Sequence, residues 1–178
     1  MALMVAHAVL VKSGPTSSTM AVPHGPASVA VARRRMRRDL GDRDIPDAVI
    51  DDAVLILSEL LSNSCRYARP LTVLTTLGDE ARAALLDPEL GDDGGILVHW
   101  QLHGDGLLGL EVTDGGSTTR PVPARPSRTS HGGRGLGIVG QLADDWGVRD
   151  APGQVTVWAM LPAREHCASH TSPGARSA

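Results

Sequence analysis

Three polar side chains recur at helical spacing near the end of a long apolar run, in the stretch SELLSNSCRYA at 58–68. Glu59 and Asn63 are four residues apart and Arg66 follows three residues later, so a helix would place all three on one side. A carboxylate, an amide oxygen and a guanidinium suit a hard cation with its phosphates and a base beside it. The same column also fits the solvated face of an amphipathic helix, and this stretch alone leaves both readings open.

A second candidate is Asp114-Gly115-Gly116, which follows a predicted strand. A carboxylate at a strand end can accept a hydrogen bond from an exocyclic amine, and glycines let a flat ring approach the backbone. Asp-Gly is also a very common turn dipeptide, so a simple turn is the alternative.

The glycine-rich stretch HGGRGLGIV at 131–139 is the third candidate, with four glycines in six residues before a predicted helix. Bare amides at a helix start hold phosphate through the backbone. The lysine of a P-loop is absent, and a Rossmann motif would need a preceding strand within a βαβ unit. A flexible lid with glycine hinges is compatible with phosphate binding.

Composition limits the class of protein. The chain has 178 residues, enough for one domain, and with 2% aromatic residues and no Phe its core must be mainly aliphatic. A net charge of −3 argues against wholesale binding to nucleic acid or anionic membranes. Two cysteines do not make a plausible disulfide framework or metal site. We find neither a membrane-spanning stretch nor a secretion signal in the sequence and expect a cytoplasmic protein.

The hydrophobic periods predict helices first and then strands with one inserted helix. Helices are expected over about 28–41 and 46–68, and around 138–143 beginning near 134. Hairpins are expected from 96–103 with 107–113 and from 146–149 with 154–161. Further short elements are an edge strand at 18–22, a strand at 71–77 and a helix around 80–86. This order predicts an α+β fold, a two-layer α/β sandwich with helices on one face of a mostly antiparallel sheet.

In their order along the chain, the three motifs resemble the N-box and the first and second glycine boxes of the GHKL superfamily of ATP-binding domains. SELLSNSCRYA and GGRGLGIV, followed by GQVTVWAML, are most similar to the small actinobacterial anti-sigma-factor serine/threonine kinases. The resemblance covers about residues 26–161 and implies a sheet-and-helix sandwich of the GHKL, or Bergerat, type.

The resemblance also implies roles for individual residues. Asn63 would be the Mg²⁺ ligand, and Glu59 the base for an attacking serine or threonine hydroxyl. Asp114 would receive the adenine amine, with Gly116 beside the ring. The implied ATP-binding set comprises Asn63, Arg66, Asp114, Gly116, Gly133, Arg134, Gly135, Leu136, Gly137 and Thr156.

The partners that the resemblance implies are ATP with Mg²⁺, an anti-anti-sigma protein as substrate and a sigma factor as sequestered target; homodimerisation is open. The alternative function is a catalytically silent, nucleotide-dependent protein-binding regulatory module. Such a module would need Asn63 and the glycines but no base, so Glu59 favours the kinase.

The expected organisation has three parts. Residues 1–25 would be a mostly flexible segment with one edge strand, 26–162 the ATP-binding kinase domain, and 163–178 a disordered tail. Within the domain, 70–95 would be a surface insertion and 115–133 the ATP lid. Five arginines at 33–38 would form a solvated helix face, with a docking surface for an acidic partner as the alternative.

Overall fold

A single antiparallel sheet carries the helices in the residues that this computed structural model describes, which are 9–12, 16–71, 94–117 and 134–164. The elements are β1 (Val9–Lys12), β2 (Ser17–Pro23), α1 (Ala27–Gly41), α2 (Asp47–Tyr67), β3 (Gly95–Leu102), β4 (Leu107–Asp114), α3 (Arg134–Leu142), β5 (Asp145–Ala151) and β6 (Gln154–Pro162). The described strands pair in the order β1-β2-β3-β4-β6-β5. The predicted α+β sandwich is therefore confirmed.

Proline and glycine mark the boundaries that the sequence predicted. Pro26 and Pro46 immediately precede α1 and α2, where a fixed φ and a missing N–H are tolerated. The β3–β4 hairpin turns through Gly106 at φ 85°, and the β5–β6 hairpin through Gly153 at φ 75°. A positive φ is readily available only to glycine, so both turns lie where the sequence placed them.

The core lies between the helices and one face of the sheet. Alternate strand residues enter the core, in keeping with the two-residue period of a strand: Met20 and Val22 of β2, Ile96, Val98 and Trp100 of β3, Leu108, Leu110 and Val112 of β4, and Ala159 and Leu161 of β6. The apolar stripe of α2 and Ala32, Met36 and Leu40 of α1 cover that face. Burial on so much of its circumference makes α2 the central helix of the domain.

A buried polar cluster fixes α1 to the sheet. Asp39 is 3% exposed, and its Oδ2 accepts hydrogen bonds from Ser18 Oγ at 3.1 Å and Trp100 Nε1 at 2.7 Å. Arg43 lies 2.9 Å from the same oxygen and also donates to Ser18 Oγ at 2.7 Å. Because a buried charge must be paired and hydrogen-bonded, this cluster specifies where α1 lies on β2 and β3.

Two expectations about the ends of the domain are wrong. The strand predicted as an edge, β2, lies inside the sheet because β1 pairs along its outer side, with Val9 opposite Ala21. The expected tail from 163 begins too early: Ala163 is buried, and its N–H donates to the Gly106 carbonyl at 2.8 Å. Residues 165–178 lie outside the described residues.

Other predictions fall wholly or partly outside the described segments. The strand at 71–77 is represented only by Leu71, which forms an isolated bridge with Gly95, and the helix around 80–86 is not described.

The arginines of α1 are exposed, and Arg37 pairs with Asp51 of α2 at 2.7 Å, which agrees with a solvated face. Among the helices described, none is long and apolar enough to cross a membrane.

Removing the charge partner of Asp39 should cost much more stability than removing an exposed partner. We expect Arg43→Met to lower the free energy of unfolding by about 3 kcal/mol, because it leaves a carboxylate in the core without its cation. Arg37→Met, which breaks the exposed pair with Asp51, should cost less than about 1 kcal/mol. Urea unfolding of both variants tests this, and equal losses would contradict it.

Candidate active site

Asp114, the last residue of β4, is a buried carboxylate on the helix-covered face of the sheet. It is 6% exposed; its Oδ2 accepts a hydrogen bond from Ser64 Oγ at 2.6 Å, and its Oδ1 accepts one from the Gly116 N–H at 2.8 Å. Burial raises the pKa of Asp114 above its ordinary value, although the bonds from Ser64 and Gly116 and the nearby charge of His24 act in the opposite direction. This carboxyl is therefore desolvated and held in one orientation.

Ser64 is a site residue that the sequence did not single out. It continues the buried stripe of α2, four residues after Leu60, and it looked like one more small core residue. A hydroxyl in an apolar stripe needs a hydrogen-bonding partner, and that requirement was the available signal. Its partner, Asp114, lies 50 residues away in the chain.

The backbone after α2 pairs with the backbone after β4. The Gly115 N–H donates to the Arg69 carbonyl at 2.9 Å, and the Arg69 N–H donates to the Gly116 carbonyl at 2.9 Å. A Cβ on Gly115 would lie 2.5 Å from the Pro70 carbonyl oxygen, and Gly116 has φ 75°. Both glycines are therefore required by the fold at this junction, whatever binds there.

The predicted polar column is present on α2. Glu59 and Asn63 are half-buried, one helical turn apart, while Arg66 is exposed. Helix α3 packs against α2. Asn63 immediately precedes Ser64, so the column lies next to the residue that holds Asp114.

Only part of the second glycine box lies in the described residues. Gly133 is outside them, whereas Arg134 and Gly135 begin α3. Leu136 is partly buried and packs against the core. Gly137 is exposed, and a Cβ there would meet open space. Among the described residues, neither packing nor backbone conformation explains why residue 137 is glycine, unlike Gly115 and Gly116.

Thr156 does not join the predicted site. Val155 pairs with Asp114 in the sheet, and Thr156 pairs with Thr113. Because successive strand residues point to opposite faces, Thr156 lies on the face away from α2 and Asp114. Its hydroxyl is 2.7 Å from that of Thr113 on that face. Thr156, which the resemblance placed in the ATP-binding set, therefore lies one residue out of register with Asp114 and on the other face of the sheet.

Comparison with known proteins agrees with this arrangement. The model of the histidine kinase-like ATPase domain matches residues 22–161. The chain belongs to this family. The matched range is close to residues 26–161, over which the sequence motifs resemble the GHKL superfamily. ATP binding is the activity that membership in this family implies.

A solved structure shows the same fold. The crystal structure of the RsbU and RsbW domains of Rv1364c from Mycobacterium tuberculosis is similar to this chain with a TM-score of 0.54 at 16% identity. The similarity covers 82% of this chain and 31% of that one, so this chain spans about a third of the other. No match was found among curated proteins.

The site fits a nucleotide that arrives with Mg²⁺. The Asp114 carboxylate is a fixed acceptor for an amine, and a Cβ on Gly137, in the first turn of α3, would meet no described atom within 4 Å. Mg²⁺ in nucleotide sites takes one or two protein oxygens together with phosphates and water, and the Asn63 amide offers one such oxygen. Within the described ranges, no three His, Cys, Asp or Glu side chains are grouped to hold a metal ion.

The raised pKa of Asp114 predicts a pH-dependent stability. Between the ordinary value of about 3.9 and the raised folded value, the folded chain binds more protons than the unfolded chain. The free energy of unfolding therefore falls as pH rises through this window. Asp114→Asn cannot titrate at this position, so its free energy of unfolding should not fall through this window. We therefore expect the difference in stability between Asp114→Asn and the wild type to shift in favour of the variant as pH rises, measured by urea unfolding at a series of pH values.

Ser64→Ala tests the cause of this behaviour. The Ser64 hydroxyl favours the charged form of Asp114, so its removal should raise the pKa of Asp114 further and move the window to higher pH. A ¹³C NMR titration of the Asp114 carboxyl measures this directly. Titration of wild-type Asp114 at or below the ordinary value would contradict the burial argument.

Proposed function

We propose that this chain is an anti-sigma-factor serine/threonine kinase. It binds ATP with Mg²⁺, phosphorylates a serine or threonine of an anti-anti-sigma protein and sequesters a sigma factor. Membership of the histidine kinase-like ATPase family and the fold shared with a structure that contains an RsbW domain support this proposal. The motif order and the SELLSNSCRYA stretch favour the kinase branch over other ATP-binding relatives.

The observation that carries the proposal is the hydrogen bond from Ser64 to Asp114. It ties the carboxylate that would read adenine to the same helix that presents Asn63 and Glu59. Glu59 lies about 6 Å earlier along the helix axis than Asn63, at 1.5 Å per residue. A rigid helix therefore sets the separation between the base-binding end and the phosphate end of the site.

This geometry suits phosphoryl transfer, which depends on positioning and charge neutralisation more than on covalent help from the protein. Asp114 would accept the adenine amine, while the Asn63 oxygen would face the metal-bound phosphates. Bound Mg²⁺ supplies positive charge to the triphosphate. Glu59 would accept the proton of the substrate hydroxyl as its oxygen bonds to the γ-phosphorus and ADP departs.

The catalytically silent binding module remains the second candidate, and Glu59 separates it from the kinase. In the kinase, Glu59→Gln should leave ATP affinity near that of the wild type and reduce phosphate transfer by about 10²-fold or more, because the proton acceptor is lost. Asn63→Ala should weaken Mg²⁺-dependent ATP binding itself. Calorimetry with Mg-ATP and transfer of labelled phosphate to proteins encoded beside this chain measure the two effects.

Asp52→Asn is the matched control, because Asp52 is an exposed carboxylate seven residues before Glu59 on the same side of α2. It should leave both binding and transfer unchanged. If wild type binds Mg-ATP but labels no partner, the silent module is correct. Should Asn63→Ala bind Mg-ATP as well as wild type, the site assignment itself is wrong.

Gly137→Ala should change stability and nucleotide binding in opposite directions. Alanine is favoured over glycine within a helix, and open space surrounds this position, so the variant should be more stable by about 0.5–1 kcal/mol. If phosphate approaches the backbone here, the added methyl should weaken ATP binding. Thermal unfolding and calorimetry measure the two effects. Gln141→Ala, at an exposed position of the same helix, should leave ATP binding unchanged.

A further inference from the structure

The connection between β2 and α1 makes three hydrogen bonds with the end of α2. His24 Nε2 lies 3.1 Å from the Ser64 carbonyl oxygen and 2.9 Å from the Ala68 carbonyl oxygen. Because both partners are carbonyls, which only accept, the geometry requires the hydrogen on Nε2. One residue further on, the Gly25 carbonyl accepts from the Cys65 thiol at 3.3 Å.

His24 adds a donor at the end of α2. The last carbonyls of a helix have no partner within it, and a glycine in the left-handed conformation commonly ends the helix and satisfies some of them. Here the C-cap residue Ala68 is extended, with φ −103° and ψ 164°, and its N–H returns to the Ser64 carbonyl. His24 supplies a side-chain donor to the carbonyls of both Ser64 and Ala68.

Ser64 connects this contact to the candidate site. Its carbonyl oxygen accepts from His24, and its hydroxyl donates to Asp114 Oδ2. The Ala68 carbonyl, the other acceptor, immediately precedes Arg69, whose N–H and carbonyl pair with Gly116 and Gly115. His24 therefore holds both of the points at which α2 meets the end of β4.

We propose that His24 is a positioning residue for the nucleotide site: by holding the last turn of α2, it fixes the orientation in which Asp114 accepts the adenine amine. The proposal rests on the proposed nucleotide-binding function and adds to it a residue outside the three motifs. His24 acts through Ser64 and the Arg69 backbone. Its effect should appear in recognition of the 6-amino group more than in the general affinity for a triphosphate.

Two substitutions of His24 distinguish the effect of the Nε2 hydrogen-bond donor from the effect of losing the imidazole ring. Glutamine can place its amide nitrogen near the position of Nε2, whereas the shorter asparagine amide cannot reach the two carbonyls. The test is a calorimetric measurement of the affinity of each variant for Mg-ATP and for the Mg complex of purine riboside triphosphate, which lacks the 6-amino group. His24→Asn should lose about tenfold in affinity for ATP and much less for the analogue, as expected for misplacing a hydrogen bond to a charged acceptor.

His24→Gln should restore both affinities to within about twofold of the wild type. Cys65→Ala is the matched control, because it removes the other polar contact of the same connection and should leave the preference for ATP over the analogue unchanged. If His24→Asn does not fold, His24→Leu replaces it, because leucine also lacks the donor, and the amide NMR signal of Gly116, which donates to Asp114, is followed beside the two affinities. A reduced preference for ATP with a shifted Gly116 signal supports the proposal, and an unchanged preference or an unchanged signal overturns it.

The remaining outcomes distinguish failure of the His24 role from failure of the proposed nucleotide site. If wild type prefers ATP and His24→Asn keeps that preference, or loses both nucleotides equally, the positioning role is wrong while the nucleotide site stands. If wild type binds ATP and the analogue equally, Asp114 does not bind the amine and the role of His24 fails with it, while ATP binding stands. If wild type binds neither nucleotide, the proposed function itself fails. Loss of the preference in Cys65→Ala would show general loosening of the connection and would also overturn the role of His24.

Discussion

The buried carboxylate of Asp114 is the constraint on which the arrangement of this site depends. A charge at the end of β4, almost out of contact with water, requires donors that are already in place. Ser64 from α2 and the Gly116 amide provide them, at 2.6 and 2.8 Å. The fold therefore cannot place the end of α2 independently of the end of β4. Helix position and carboxylate orientation are set by the same contact.

The domain treats its two buried aspartates differently. Asp39 is enclosed with the guanidinium of Arg43 as well as Ser18 and Trp100, an arrangement that satisfies charge with charge and joins α1 to the sheet. Asp114 receives a hydroxyl and a backbone amide, and burial keeps its pKa raised. The two hydrogen bonds to Asp114 use only part of the acceptor capacity of a carboxylate, so Asp114 can still accept a donor from a ligand. In the proposed function, Asp114 is therefore the carboxylate that binds the nucleotide, while Asp39 joins α1 to the sheet.

Local patterns predicted most of the fold, because they depend on residues near one another in the chain. The stripe of α2 and the glycine turns of both hairpins have strong periods or clear turn residues, and the structure confirms them. What failed depends on long-range pairing. Whether β2 is an edge depends on β1, and the face on which Thr156 lies depends on the register of β6 against β4. A shift of one residue reverses the face of every side chain in a strand, and no local signal reports that shift.

The candidate site was predictable where chemistry required a residue type, and it was missed where packing concealed the role. The sequence indicated Glu59, Asn63 and Asp114, because they are polar residues within an apolar helix or at a strand end. It did not indicate Ser64, which has the size of a core residue, or His24, which belongs to no motif. The glycines divide in the same way. Gly115 and Gly116 satisfy the backbone junction between α2 and β4, so their presence alone is weak support for a ligand. Gly137 meets no packing or backbone constraint from the described residues and costs helix stability, so among the described glycines of the motifs it is the one that most favours the proposed bound group near α3.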